Sequence, residues 1–241
     1  MSHAGGASNL YSKWPQYIES EIKIVTLEMS GRGRRFTEAL IDNIDDMIED
    51  LMPFAEKELD GSPYAFFGHS MGSLVSYELS HKIWKETGQA PIHMFFSGRY
   101  PPHLIFRDKI FHTMSDEEFI NELKKIGGTP EEVYQNNSLM DIFLRVLRAD
   151  YKLLETYLYR QYHQYDCDIS LFYGNNDETT AGNMGEWVKY TNGDTAKHVF
   201  IGGHFFLTEH VKELVSIINQ ILTSYEPSDI YWKSYAHSLT E

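Results

Sequence analysis

The sequence predicts an α/β fold, a mostly parallel sheet flanked by helices and interrupted by a helical insertion, and three observations carry that prediction. Short runs rich in aromatic and β-branched residues alternate with segments of helical period, the pattern of strands joined by helical crossovers. One of those strands passes into a helix through Gly68-His69-Ser70-Met71-Gly72. From 101 to about 165 the strand signal stops while helical patterns continue, which reads as an all-helical insertion of the kind that forms active-site lids. A chain of 241 residues with 42% hydrophobic content is long enough for one large core, so a single domain over 1–241 is expected, with the lid at about 101–165.

In chain order, Ser2-His3-Ala4-Gly5-Gly6-Ala7-Ser8 is a loop that either brings backbone close to a ligand or frays as a terminus. Leu10, Tyr11, Trp14 and Tyr17 suggest a short helix interrupted near Pro15, and 21–27 alternates as a strand, with Ile22, Ile24 and Thr26 on one face. After Gly31-Arg32-Gly33, the positions Leu40, Ile41, Ile44, Met47, Ile48, Leu51 and Met52 predict a long amphipathic helix beginning at Thr37. The aromatic run 64–67, introduced by Ser62-Pro63, predicts the next strand, and Leu74, Val75, Leu79 and Ile83 the helix behind it. Gly88 marks that helix's end, and 91–96 is again a strand.

Within the insertion, Ser115-Asp116-Glu117-Glu118 has the form of a capping box ahead of Phe119, Leu123 and Ile126, and 139–158 continues as helix. Strands return at 169–173 and 198–201, a closing helix spans 207–222, and the residues from Tyr225 onward carry no pattern.

The strand, Gly-x-Ser-x-Gly turn and helix together form a nucleophile elbow, in which flanking glycines let the chain turn sharply enough to expose the Ser70 hydroxyl. The same turn sets the Met71 N–H at a helix N-terminus, where unpaired donors and the helix dipole favour a developing oxyanion. Ser70 could instead be an ordinary helix cap.

In a parallel sheet, functional groups gather at the carboxyl ends of the strands. Ser70, Asp177 and His204 all fall there, in the chain order Ser, Asp, His of the α/β-hydrolase arrangement. Their chemistry assigns nucleophile, acid and base. Glu178 is a competing acid, whereas Asp166 and Asp168 precede their strand.

Composition narrows the alternatives. A net charge of −14 argues against a general nucleic-acid binder, and Arg32, Arg34 and Arg35 read as a solvated loop. Asp42, Asp45, Asp46, Glu49 and Asp50 read as a solvated helix face and not a metal site. The triad chemistry calls for neither metal nor cofactor, and none is expected. Without an export signal or a membrane-length apolar run, and with the single Cys167 unable to form an internal disulfide, a cytoplasmic location away from membranes is expected.

With these residues in place, nearly the whole chain resembles a type II thioesterase, the stand-alone α/β-hydrolase that accompanies polyketide and nonribosomal peptide synthetases. The resemblance rests on His3-Ala4-Gly5-Gly6, Gly31-Arg32-Gly33 with Arg35, Gly68 to Gly72, Gly127-Gly128-Thr129-Pro130, Arg148-Ala149-Asp150-Tyr151 with Glu155 and Tyr157, Gly174 with Asp177 and Trp187, and Gly202-Gly203-His204. It implies Ser70, Asp177 and His204 as the triad, backbone oxyanion donors from Met71 and Ala4, and a helical lid. It also implies a monomer whose partners are acyl or peptidyl carrier domains bearing phosphopantetheine. Two departures stand out: Arg145 occupies a position where relatives commonly have proline, and the chain begins almost at the His-Ala-Gly-Gly loop, where the family has a hydrophobic strand first. In-frame upstream residues are expected to supply that strand and raise stability and activity. Acyl transfer to an acceptor other than water, and a non-catalytic interaction module on the same fold, remain the alternatives to thioester hydrolysis.

Overall fold

The computed structural model describes residues 1–104, 109–178, 180 and 182–225. Its core is a four-stranded sheet in the order β1 (Ala65–His69), β2 (His93–Ser97), β3 (Asp168–Gly174), β4 (Thr195–Phe200), and all three pairings are parallel. The register brings the carboxyl ends together: His69 lies beside Ser97, Ser97 beside Phe172, and Gly174 beside Phe200. That alignment gathers the loops after β1, β3 and β4 at one edge of the sheet.

Both faces of the sheet are covered, and the strands divide their side chains accordingly. Phe95, Phe172 and Phe200 pack with Trp14 and with Leu214, Val215 and Ile218 of α6 (Val211–Leu222). Met94, Phe96, Ile169 and Leu171 point the other way, onto Tyr77 and Trp187, and the Trp187 indole stacks on Phe96 at 3.9 Å between ring centroids. Double coverage explains why every residue of β2 is buried, where a one-sided strand would alternate. Helices α1 (Ile44–Glu58) and α2 (Met71–Thr87) form a common core through Met47, Leu51, Leu74, Val75 and Leu79. Gly88 ends α2 in the left-handed conformation that glycine adopts without penalty.

Between β2 and β3 lie α3 (Asp116–Ile126), α4 (Glu131–Tyr134) and α5 (Asn137–Thr156). The capping box at Ser115 and Glu118 is formed in both directions. Phe119, Leu123, Met140, Leu144 and Leu147 give these helices an apolar cluster of their own.

Five expectations are corrected. Residues 21–27 are extended but belong to no strand. They are separated from β1 by a cavity of about 600 Å³ lined by Ile22, Ile24 and Leu27 on one side and Ala65, Phe66 and Phe67 on the other. With no ladder partner within reach, the β-branched pattern cannot become sheet. Met1 bridges toward β1 at this edge: its amine donates to the Phe67 carbonyl at 2.6 Å, and its own carbonyl accepts from the His69 N–H at 3.1 Å.

The helix expected from Thr37 starts at Ile44, because Asn43 caps it through its side chain, accepting from the Asp46 N–H. The segment around Pro15 forms two separate 3-10 turns, Ser8–Tyr11 and Trp14–Gln16. The basic run is not a solvated loop, since Arg32 is buried on Asp150 and Arg35 pairs with Asp50 and Glu38. Nor is the acidic helix face merely solvated: Asp42, Asp45 and Glu49 pair with Lys152, Arg160 and Lys82. The patternless tail from Tyr225 lies outside the described residues, apart from Tyr225 itself, whose hydroxyl is 2.9 Å from His93 Nδ1.

Candidate active site

Ser70 is the one non-glycine residue with positive φ among the described residues, at φ 55° and ψ −116°. The strain is affordable because the surroundings over-determine it. The Ser70 N–H donates to the Ser97 carbonyl at 2.7 Å, while the Ser73 hydroxyl donates to the Gly68 carbonyl at 2.7 Å. A side chain on Gly68 would strike the backbone of Gly72, and one on Gly72 would strike the carbonyls of Met1 and Ser2, so both glycines are required by close backbone approach. Ser70 makes no side-chain cap bond to α2, which removes the helix-cap reading and leaves its hydroxyl available for other work.

Asp177 and His204 meet across the ends of β3 and β4. His204 Nδ1 lies 2.8 Å from Asp177 Oδ2, and the Thr180 hydroxyl donates to the same carboxylate oxygen at 2.8 Å. Asp177 is buried and His204 partly exposed, and the carboxylate engages Nδ1, leaving Nε2 as the ring nitrogen not held by it. Glu178 is exposed. Thr180 is invisible to sequence reasoning, because a threonine three positions after an aspartate is ordinary turn chemistry.

Two further histidines crowd this edge. The His69 ring is 5.1 Å from that of His204 and 6.1 Å from that of His3. Burial is the main cause that holds His69 far below the usual histidine range, with His204 and His3 adding to it. Burial likewise pushes His3 down to about 4. Both are neutral near pH 7. Gly98, at φ 58°, closes the space, since a Cβ there would sit 2.6 Å from His69 Cε1 and 3.3 Å from His204 Cε1.

The His3-Ala4-Gly5-Gly6 loop is not a frayed end. The Ser2 hydroxyl donates to the Gly6 carbonyl at 2.9 Å, His3 Nδ1 lies 2.8 Å from the Ala4 carbonyl, and the Gly5 N–H donates to Asp150 Oδ2 at 2.7 Å. The loop thereby lies between the elbow and α5: Gly72 faces Met1 and Ser2, and Gly5 faces Leu147 and Phe143. Asp150 and Arg32 hold this loop from α5 and the body; both fall within motifs that carry the family resemblance, but their pairing had no signal in the sequence.

The cations of the helical insertion are mostly engaged. Lys125 pairs with Glu122, Arg148 pairs with Asp116 and lies over Phe119, and Lys124 lies over Tyr134. Arg145 is exposed and has no ion pair among the described residues.

Comparison with known proteins agrees with this geometry. The Thioesterase domain profile matches residues 1–222. The chain is 33% identical over 219 residues to the gramicidin S biosynthesis protein GrsT of Aneurinibacillus migulanus, covering 90% of this chain and 85% of that protein. Its fold superposes on ClbQ from the colibactin NRPS/PKS pathway with a TM-score of 0.89 at 34% identity, covering 92% and 95% of the two chains. It superposes on BorB, the type II thioesterase from the borrelidin biosynthetic cluster, with a TM-score of 0.82 at 30% identity, covering 92% and 90%. An elbow serine, a buried Asp-His pair and a seated Gly-rich loop on a parallel sheet, together with these likenesses, lead to one conclusion: the chain belongs to the thioesterase family, among the type II thioesterases of α/β-hydrolase fold.

Proposed function

We propose that this protein is a serine thioesterase that removes stalled or aberrant acyl groups from the phosphopantetheine arms of carrier domains in natural-product biosynthesis. The observation that carries the reading is the strained, uncapped Ser70 at the same sheet edge as the 2.8 Å Asp177–His204 pair. Ser70 Oγ attacks the thioester carbonyl as His204 takes its proton, and Asp177 holds the imidazole tautomer and stabilises its charged form. The N–H groups of Met71 and Ala4 receive the oxyanion. Collapse expels the pantetheine thiol, protonated by His204. Water, activated by the same histidine, then releases the acid from acyl-Ser70. The enzyme acts as a cytoplasmic monomer, and α3 to α5 form its lid.

The test is hydrolysis of one acyl group presented on a carrier domain and on coenzyme A, by the wild type and by Ser70→Ala. Expected are a higher kcat/KM on the carrier and loss of turnover by about 10⁴-fold or more in the variant, because triad members act as a unit. Wild-type turnover by Ser70→Ala would sink the mechanism. Equal efficiency on both substrates would leave a general acyl-thioester hydrolase. Product analysis with added acceptors separates hydrolysis from acyl transfer.

A further inference from the structure

We propose that Asp150 is a positioning residue for the oxyanion loop, so that seating the lid helix α5 assembles the oxyanion hole. The inference rests on the Ser70 reading above. Asp150 is 0% exposed and Arg32 4% exposed. Arg32 Nη1 and Nη2 each donate to one carboxylate oxygen at 2.6 Å, and Oδ2 also accepts the Gly5 N–H at 2.7 Å. Arg32 Nη1 further reaches the Gly6 carbonyl at 3.4 Å. One buried carboxylate thus ties α5 to the guanidinium and to the loop.

The tie acts next to the proposed donor. Gly5 N belongs to the peptide plane that follows Ala4, and the oxygen of that same plane is held by His3 Nδ1 at 2.8 Å. A planar peptide pinned at both its N–H and its carbonyl leaves little freedom for the adjoining Ala4 backbone, whose N–H must point at the oxyanion. Gly5 sits at φ +76°, and a Cβ on it would come within 2.7 Å of Leu147 Cδ2, so the loop is packed against α5 as well as bonded to it.

Stability alone is a poor reason for such a pair. Desolvating two buried charges offsets much of their attraction, and well-packed apolar residues often serve as well or better. Orientation is what a bidentate, triply bonded carboxylate supplies and an apolar contact does not. Asp150 belongs to the lid, whereas Arg32 and Gly5 belong to the body. Displacing α5 would leave a buried guanidinium without its partner and the Gly5 N–H without its acceptor, so an unseated lid and a misaligned oxyanion loop go together.

The experiment compares Asp150→Asn, Asp150→Glu and Arg32→Lys with the wild type. It reads kcat and KM for an acyl thioester, the inhibition constant of a trifluoromethyl ketone that forms a tetrahedral oxyanion on Ser70, and Tm. Asp150→Asn is expected to lower kcat by about 10²-fold to 10³-fold, the loss typical of one oxyanion donor, with KM within about threefold. The ketone should weaken by the same factor as kcat/KM, and Asp150→Glu should recover part of both. If Asp150→Asn does not fold, Arg32→Lys decides, because it keeps the charge balance while removing the bidentate hold. A folded variant with lowered Tm but kcat and ketone affinity within threefold of wild type would overturn the positioning role while leaving Ser70 chemistry intact. Turnover that survives Ser70→Ala would instead overturn the reading beneath it.

Discussion

A side chain on Gly128 would run into the ring of Phe205, the residue that follows His204. The loop between α3 and α4 therefore rests directly on the residue next to His204, and Phe205 in turn meets the rings of His3 at 4.9 Å and His204 at 5.2 Å. Gly128 also holds φ +80°, so alanine there is disfavoured twice over. Gly128→Ala is expected to lift this loop from Phe205 and to lower kcat/KM by about tenfold or more, at a stability cost above about 1 kcal/mol. Wild-type kinetics in Gly128→Ala would show that the contact plays no part in closing the site.

Phe143 and Leu147 of α5 face Gly5 of the loop. The proposed mechanism makes them candidates for lining the acyl path from Ser70. Phe143→Ala and Leu147→Ala should redistribute kcat/KM among acyl lengths, favouring longer or branched groups by about threefold to tenfold, since pocket methylenes are worth about 1–3 kcal/mol each. A uniform loss across all chain lengths would make these residues support and not selectors.

Acid should destabilise the fold through histidines that are buried neutral. His3 is pushed down to about 4 and His81 to about 3, in each case mainly by burial, and His69 lies well below its ordinary value of 6.5. Their unfolded forms take up protons near pH 6.5 while the folded forms do not. The stability they contribute is thus complete above pH 6.5 and is lost as pH falls from there toward their folded values. Tm should fall steeply between pH 6.5 and 4. His81→Phe, which keeps a ring against Tyr162 and Tyr165 where His81 now stacks at 4.4 Å and 4.5 Å, should flatten that dependence. An unchanged slope in His81→Phe would remove His81 from the account.

The cavity beside β1 predicts the effect of an added strand. An apolar, β-branched segment of about five residues joined ahead of Met1 continues the pairing that Met1 already makes with Phe67 and His69. It would also bring 21–27 within reach of a ladder. Tm and kcat should both rise, because the oxyanion loop follows directly from that strand. No change in either would show that the loop's bonds to Asp150 and Ser2 anchor it sufficiently.

Local chemistry, which acts between near neighbours in the chain, was largely legible beforehand. Ser115 and Glu118 are three residues apart and cap α3 as their spacing requires, Gly88 ends α2, and Gly68 with Gly72 permit a turn that only small residues allow. The Ser-Asp-His order along the sheet was readable because parallel strands deliver their loops to one edge. Pairings across long separations were not. Arg32 and Asp150 are 118 positions apart, and nothing near Arg32 in the chain distinguishes a buried, bidentate guanidinium from a solvated one. The strand-like alternation at 21–27 was genuine as a pattern, yet a strand exists only where another backbone stands about 5 Å away to bond it. By itself the sequence determined the elements and the residues that chemistry requires; only the tertiary structure decided which distant charges were buried together and which extended segments found a partner, because burial and ladder formation depend on what arrives from elsewhere in the chain.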